Sequence, residues 1–139
     1  MPDENFMKIA IEEAKKGDFP FGAVIAKDNE ILAKAHNTAI LDPTAHAEIN
    51  AIREACKKLG NIDLSGCTLY STCEPCPMCF TASWWARISK IVYGTEGKDV
   101  SEDEWKIDVK CSYLNEKSGN KIKIKGGFLR DECRELFER

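Results

Sequence analysis

The sequence predicts a mixed α/β domain in three layers, with helices on both faces of a roughly five-stranded sheet. Three observations carry this. Short apolar runs bounded by turn residues alternate with longer stretches whose apolar residues recur at helical spacing. In the middle of the chain these follow one another as strand, helix, strand, the rhythm of parallel crossovers. The 139 residues suffice to bury one core and are too few for two, so residues 1–139 are expected to form a single domain.

From Asn5 to Lys16, apolar Phe6, Ile9, Ala10 and Ala14 recur at helical spacing among Glu and Lys, and Gly17 stops the run, which predicts a surface helix. Pro20 to Ala26 is a short apolar run, Lys27-Asp28-Asn29-Glu30 a polar turn, and Ile31 to His36 a return, which predicts two antiparallel strands. Asn37 to Thr44 is irregular, with a turn at Asp42-Pro43-Thr44. From Glu48 to Leu59, Ile49, Ala51, Ile52, Ala55 and Cys56 share one helical face closed by Gly60, so His46 and Glu48 fall in the first turn. Thr68 to Thr72 reads as a strand, Met78 to Ala86 as a nearly all-apolar helix that must be buried, and Ile88 to Tyr93 as the next strand. Gly97 to Asn120 is highly charged and without a clear period; Trp105, Ile107, Val109 and Tyr113 are expected to anchor it as a lid or edge. Lys121 to Lys125 alternates Lys and Ile, an edge strand whose lysines discourage further pairing. After Gly126-Gly127, Leu129 to Arg139 predicts an amphipathic helix with Leu129, Cys133, Leu136 and Phe137 inward.

The net charge of −3 argues against a protein whose affinity rests on neutralising phosphates, while leaving room for a local basic patch. The N-terminal residues have neither a basic flank nor an apolar signal core, and no apolar run is long enough to span a bilayer, so a cytoplasmic protein with no membrane partner is expected. Seven cysteines, an odd number in helical settings, fit a reducing compartment better than a disulfide scaffold. Cys56, Cys67, Cys111 and Cys133 sit in apolar surroundings and read as small buried hydrophobes.

The chemistry concentrates in His46-Ala47-Glu48 and Pro75-Cys76-Pro77-Met78-Cys79. Alone, the Cys76-x-x-Cys79 pair fits a redox motif or half of a structural zinc knuckle equally well. Together with His46 it supplies three zinc ligands, and no second His or Cys pair at short spacing supplies the fourth that a structural site needs. A catalytic zinc keeps that position open for water, which leaves Glu48 free to carry protons. A helix N-terminus beside Cys76 and Cys79 favours the thiolate. A helix-start Glu that merely complements the dipole is the plainer account of Glu48, and its place beside His46 argues against it. Asn37, on the loop after a strand, offers an amide donor and acceptor to the edge of a base, although loop Asn residues commonly only cap turns. Phe21 and Trp85 offer aromatic faces for stacking, while Trp84 reads as packing and His36 as a strand-end residue. A zinc module that binds a partner through the charged tail is the alternative outside enzymology.

His46-x-Glu48 followed by Pro75-Cys76-x-x-Cys79 resembles the cytidine deaminase-like superfamily of zinc hydrolases, from Phe21 to about Tyr93. The resemblance implies one Zn2+ per chain on His46, Cys76 and Cys79, Glu48 as proton shuttle, and a five-stranded sheet holding the metal between two helix ends. Asp42-Pro43-Thr44-Ala45-His46-Ala47-Glu48 is shared by bacterial guanine deaminases and tRNA adenosine deaminases. Pro20-Phe21-Gly22-Ala23-Val24, Cys73-Glu74-Pro75-Cys76-Pro77-Met78-Cys79 and Trp85-Ala86-Arg87 resemble the guanine enzymes. Gly126 to Leu136, with Asp131-Glu132-Cys133, resembles the C-terminal helix of tRNA adenosine or cytosine deaminases. Following the guanine enzymes, Asp108 is the nearest candidate for their substrate-reading acid, and the tail exchanges between the subunits of a homodimer. The resulting expectation is conversion of guanine to xanthine with release of ammonia, with tRNA adenosine and cytosine as alternative substrates.

Overall fold

The computed structural model describes residues 2–100 and 106–138. Trp105, expected to be an anchor, lies outside them. Helix α1, Glu4–Ala14, starts at Asp3, whose carboxylate accepts the Asn5 N–H at 2.8 Å, and buries Met7, Ala10, Ile11 and Ala14 on one face. Strands β1, Gly22–Lys27, and β2, Glu30–His36, form a hairpin whose turn residues Asp28 and Asn29 have φ of 50° and 68°, the primed-turn geometry short polar side chains tolerate. Helix α2, Ala47–Leu59, ends at Gly60 in the left-handed region, φ 64°. Strand β3, Thr68–Cys73, helix α3, Pro77–Trp85, and strand β4, Lys90–Thr95, make the next crossover.

The sheet order is β2-β1-β3-β4, followed by β5, Lys123–Lys125. β1 runs antiparallel to both β2 and β3, whereas β3, β4 and β5 are parallel. Alternate residues divide the core between two faces. Ala23, Ile25, Leu69 and Ile91 meet α2 and α3 residues such as Ala51, Ala55 and Phe80. Val24, Ala26, Tyr70 and Val92 meet Met7, Ala10, Cys133 and Leu136. Gly22 permits the close approach of α1: a Cβ there would run into the Ala10 carbonyl oxygen and lie 2.6 Å from the Ala14 nitrogen.

Two sequence expectations change. The charged stretch after β4 holds two short helices, α4, Gly97–Val100, and α5, Cys111–Lys117. Only Cys111 and Asn115 of α5 are buried, too few to write a helical period in seven residues. The last helix is shorter than expected: α6, Arg130–Arg134, runs into a single 3-10 turn, Glu135–Phe137. That tail packs on its own chain, with Cys133 and Leu136 buried against the sheet. Among the described residues no helix is long and apolar enough to cross a membrane.

Candidate metal centre and active site

Two helix starts on the same face of the sheet converge here. His46 is the N-cap residue of α2 and Cys76 that of α3, with Pro77 pre-set for the first helical position. Neither side chain makes a capping hydrogen bond to its helix. Both turn toward each other. Cys76 Sγ lies 3.7 Å and Cys79 Sγ 3.5 Å from His46 Nδ1, and all three donor atoms lie within 4.8 Å of one another. A tetrahedral zinc separates its sulfur and nitrogen ligands by about 3.5 Å, given Zn–S and Zn–N bonds near 2.3 and 2.05 Å. The donor set and its spacing therefore fit one zinc ion, with Nδ1 as the imidazole ligand.

The electrostatics show the same site from another side. Hydrogen bonding from the Cys79 thiol, aided by His46, holds Cys76 down to about 4, so it stands as a thiolate. Its bond to Cys76 also raises His46, against the opposing effect of burial. Cys79, donor to that thiolate and buried, is pushed up. Glu48, in the first turn of α2 and only 6% exposed, is raised to about 7, by burial first and then by the negative Cys76. Concentrated anionic character beside a buried carboxyl is what a dication would neutralise.

The other candidates are placed unequally. Asn37 is 4% exposed and sits beside Phe21, whose carbonyl accepts its N–H at 3.2 Å. Its Oδ1 accepts the Ala39 N–H at 2.8 Å, which leaves Nδ2 as the free donor among the described residues. Phe21 is half-buried and packs its ring 5.5 Å from Phe137 in the tail. Trp85 is 71% exposed at the C-terminal end of α3. At 1.5 Å per residue it stands about 9 Å beyond Cys79 along the axis, so the structure does not bring it to the metal cluster of its own chain. Trp84 packs against the core, as the sequence suggested. Asp108 is exposed in the coil before α5 and is likewise not part of the cluster. Cys73 is buried, raised to about 12 by that burial, and stays outside the donor set.

Nothing in the sequence spacing marks two residues that brace this site. Glu74 follows β3 directly and accepts the Cys111 N–H at 2.9 Å, so the turn carrying the thiolates caps α5. Asn50, one turn into α2, reaches back to the loop between Asn37 and His46.

A pair of helix N-termini presenting one imidazole and two sulfurs, with a buried carboxyl alongside, defines a zinc-dependent hydrolytic deaminase. Residues 1–95 match the family described as the cytidine and deoxycytidylate deaminase zinc-binding region, and the chain belongs to that family. It is 49% identical over 109 residues to a guanine deaminase of Bacillus subtilis (strain 168), covering 73% of this chain and 70% of that one. A tRNA-specific adenosine deaminase of Buchnera aphidicola subsp. Baizongia pistaciae (strain Bp) is 42% identical over 141 residues, covering 97% and 85%. A solved structure from a study of A-to-I editing by tRNA:A34 deaminases superimposes with a TM-score of 0.82 at 32% identity, covering 96% of this chain and 99% of that one.

Proposed function

We propose that this deaminase acts on a free nucleobase, guanine first, consuming water and giving xanthine and ammonia. The observation that carries the reading is the charge beside the metal turn. Cys73 and Thr95 are register partners at the ends of the parallel β3 and β4; Glu74, two residues before Cys76, and Glu96 follow them directly, Glu96 pairing with Lys98 and Lys110. These two carboxylates leave no net positive charge beside the metal turn even with the two lysines counted, which suits a small neutral base better than an RNA backbone, in a chain whose net charge is −3. The 49% identity to a guanine deaminase over 109 residues supports the same substrate.

Zinc in such a donor set makes water nucleophilic near neutral pH. Every other step falls to the chain's own groups. Glu48, held near 7 by burial, accepts a proton, delivers one to a ring nitrogen, and then serves the departing amine. Asn37 Nδ2 donates to the edge of the base, and Phe21 provides an apolar wall beside it. The seven free thiols suit a reducing cytoplasmic setting. Exposed Ile62 and Trp85 provide apolar surface for a second copy of the chain, which light scattering tests.

One observation favours a second reading, adenosine to inosine in a tRNA anticodon loop: a tRNA-specific relative matches 97% of this chain, tail included. The deciding experiment compares guanine, cytosine, adenine and an anticodon stem-loop at equal enzyme concentration. Guanine turnover with an inert stem-loop is expected. Inosine in the stem-loop with guanine untouched would overturn the base assignment and leave the deaminase chemistry standing.

A further inference from the structure

The irregular segment from Asn37 to His46 has a substrate-reading amide at one end and a metal ligand at the other. Its tip contributes little to its position: Ile40 and Leu41 are 72% and 94% exposed. The base of the loop is where it is held. Asn50 Nδ2 lies 2.9 Å from the His36 carbonyl oxygen, 3.0 Å from Thr38 Oγ1 and 3.3 Å from the Ala45 carbonyl oxygen. Thr38 N–H closes the same ring by donating to Ala45 O at 2.9 Å. Asn50 is itself fixed, because its own N–H donates to His46 O at 2.9 Å within α2.

We propose that Asn50 is a positioning residue that sets Asn37 relative to His46. One carboxamide on the metal-bearing helix grips the backbone just before Asn37 and just before His46. The distance between the substrate amide and the metal is thereby fixed by α2 and not by the loop. A donor is required, since two of the three partners are carbonyl oxygens. An Asp of the same shape would face both carbonyls with an acceptor and break the clamp. The proposal rests on the reading that Asn37 contacts the base.

The test uses the zinc-loaded full chain and whichever base the substrate panel identifies. In Asn50→Asp the KM should rise about tenfold, the size of one lost and one opposed hydrogen bond, with kcat changing far less. Zinc content should stay as in the parent, because none of the three ligands is touched. Amide hydrogen exchange at Thr38 and Ala39 should accelerate about tenfold while β1 and β3 stay protected. Should Asn50→Asp not fold, the isosteric pair Asn50→Thr and Asn50→Val replaces it: only Thr keeps a donor, and a higher KM in Val supports the clamp. Unchanged local exchange, zinc lost in step with activity, or equal KM in the Thr and Val pair overturns it. Asn37→Ala with a normal KM would instead sink the substrate reading of Asn37 and leave the exchange result intact.

Discussion

At the residue scale, the carboxyl of Glu48 and the thiol of Cys73 make a useful contrast. Both are buried, yet only Glu48 interacts with His46, Cys76 and Cys79, whereas Cys73 faces Thr95, Glu48 and Glu74. Glu48→Gln keeps size and hydrogen-bonding capacity but removes the transferable proton, so zinc should be retained while turnover falls by about 100-fold or more. Near-normal turnover in that variant, measured as ammonia release, would end the proton-shuttle role. The cysteines should separate just as clearly. Cys76→Ser and Cys79→Ser each remove a soft donor and should lose zinc together with part of the folding free energy, whereas Cys73→Ser should keep its metal. Elemental analysis of the purified proteins reads this directly, and zinc loss in Cys73→Ser with retention in Cys76→Ser would disprove the ligand set.

At the scale of elements, the tail is latched by one ion pair. Asp99 of α4 receives Arg130 of α6 in a fork, at 2.7 and 3.0 Å. The Arg130 hydrogen bond holds the Asp99 carboxyl below its ordinary 3.8, against a smaller opposing effect of burial. A depressed folded value means that the stabilisation is fully present above pH 3.8 and is lost as pH falls through the folded value. Asp99→Asn should therefore lower the thermal midpoint by a few degrees at pH 6, and the gap to the parent should close toward pH 3. A gap that widens on acidification would exclude this account. The latch was invisible in sequence because α4, at four residues, is too short to carry a period, and its partner on α6 is tertiary. Helices α1 and α2 and the strands were legible because their apolar residues repeat against a buried face. The ligands were legible because His46 and the Cys76-x-x-Cys79 pair obey a spacing set by zinc. Asn50 was not, since a side chain bonding backbone carbonyls leaves no pattern. Where Trp85 sits was not legible either, because a nine-residue helix sets it at the end opposite Cys76 and Cys79.

At the scale of the whole molecule, the sheet separates two cores that have different duties. The α2, α3 and α5 side carries the metal donors, which a bound zinc would draw together. The α1 and α6 side has no metal-donor cluster among the described residues and rests mainly on apolar burial beside the Asp99–Arg130 pair: Met7, Ala10, Val24, Tyr70, Val92, Cys133 and Leu136 form one cluster, with Phe128, Leu129 and Phe137 packed at its margin. Removing residues 127–139 would take a fully buried Cys and a buried Leu from that cluster together with three partly buried apolar side chains. At about 1.5–3 kcal/mol for each fully buried large side chain, the loss is comparable with a typical domain stability of about 5–15 kcal/mol. The truncated chain should bind a hydrophobic dye and lose its cooperative melting transition, even with zinc in excess. Because the tail folds onto its own chain, a separately added 127–139 peptide should restore the transition only at high concentration, where mass action replaces the lost tether. A truncated chain that melts like the parent would show that the second core is dispensable and that the tail serves only as the wall beside Phe21.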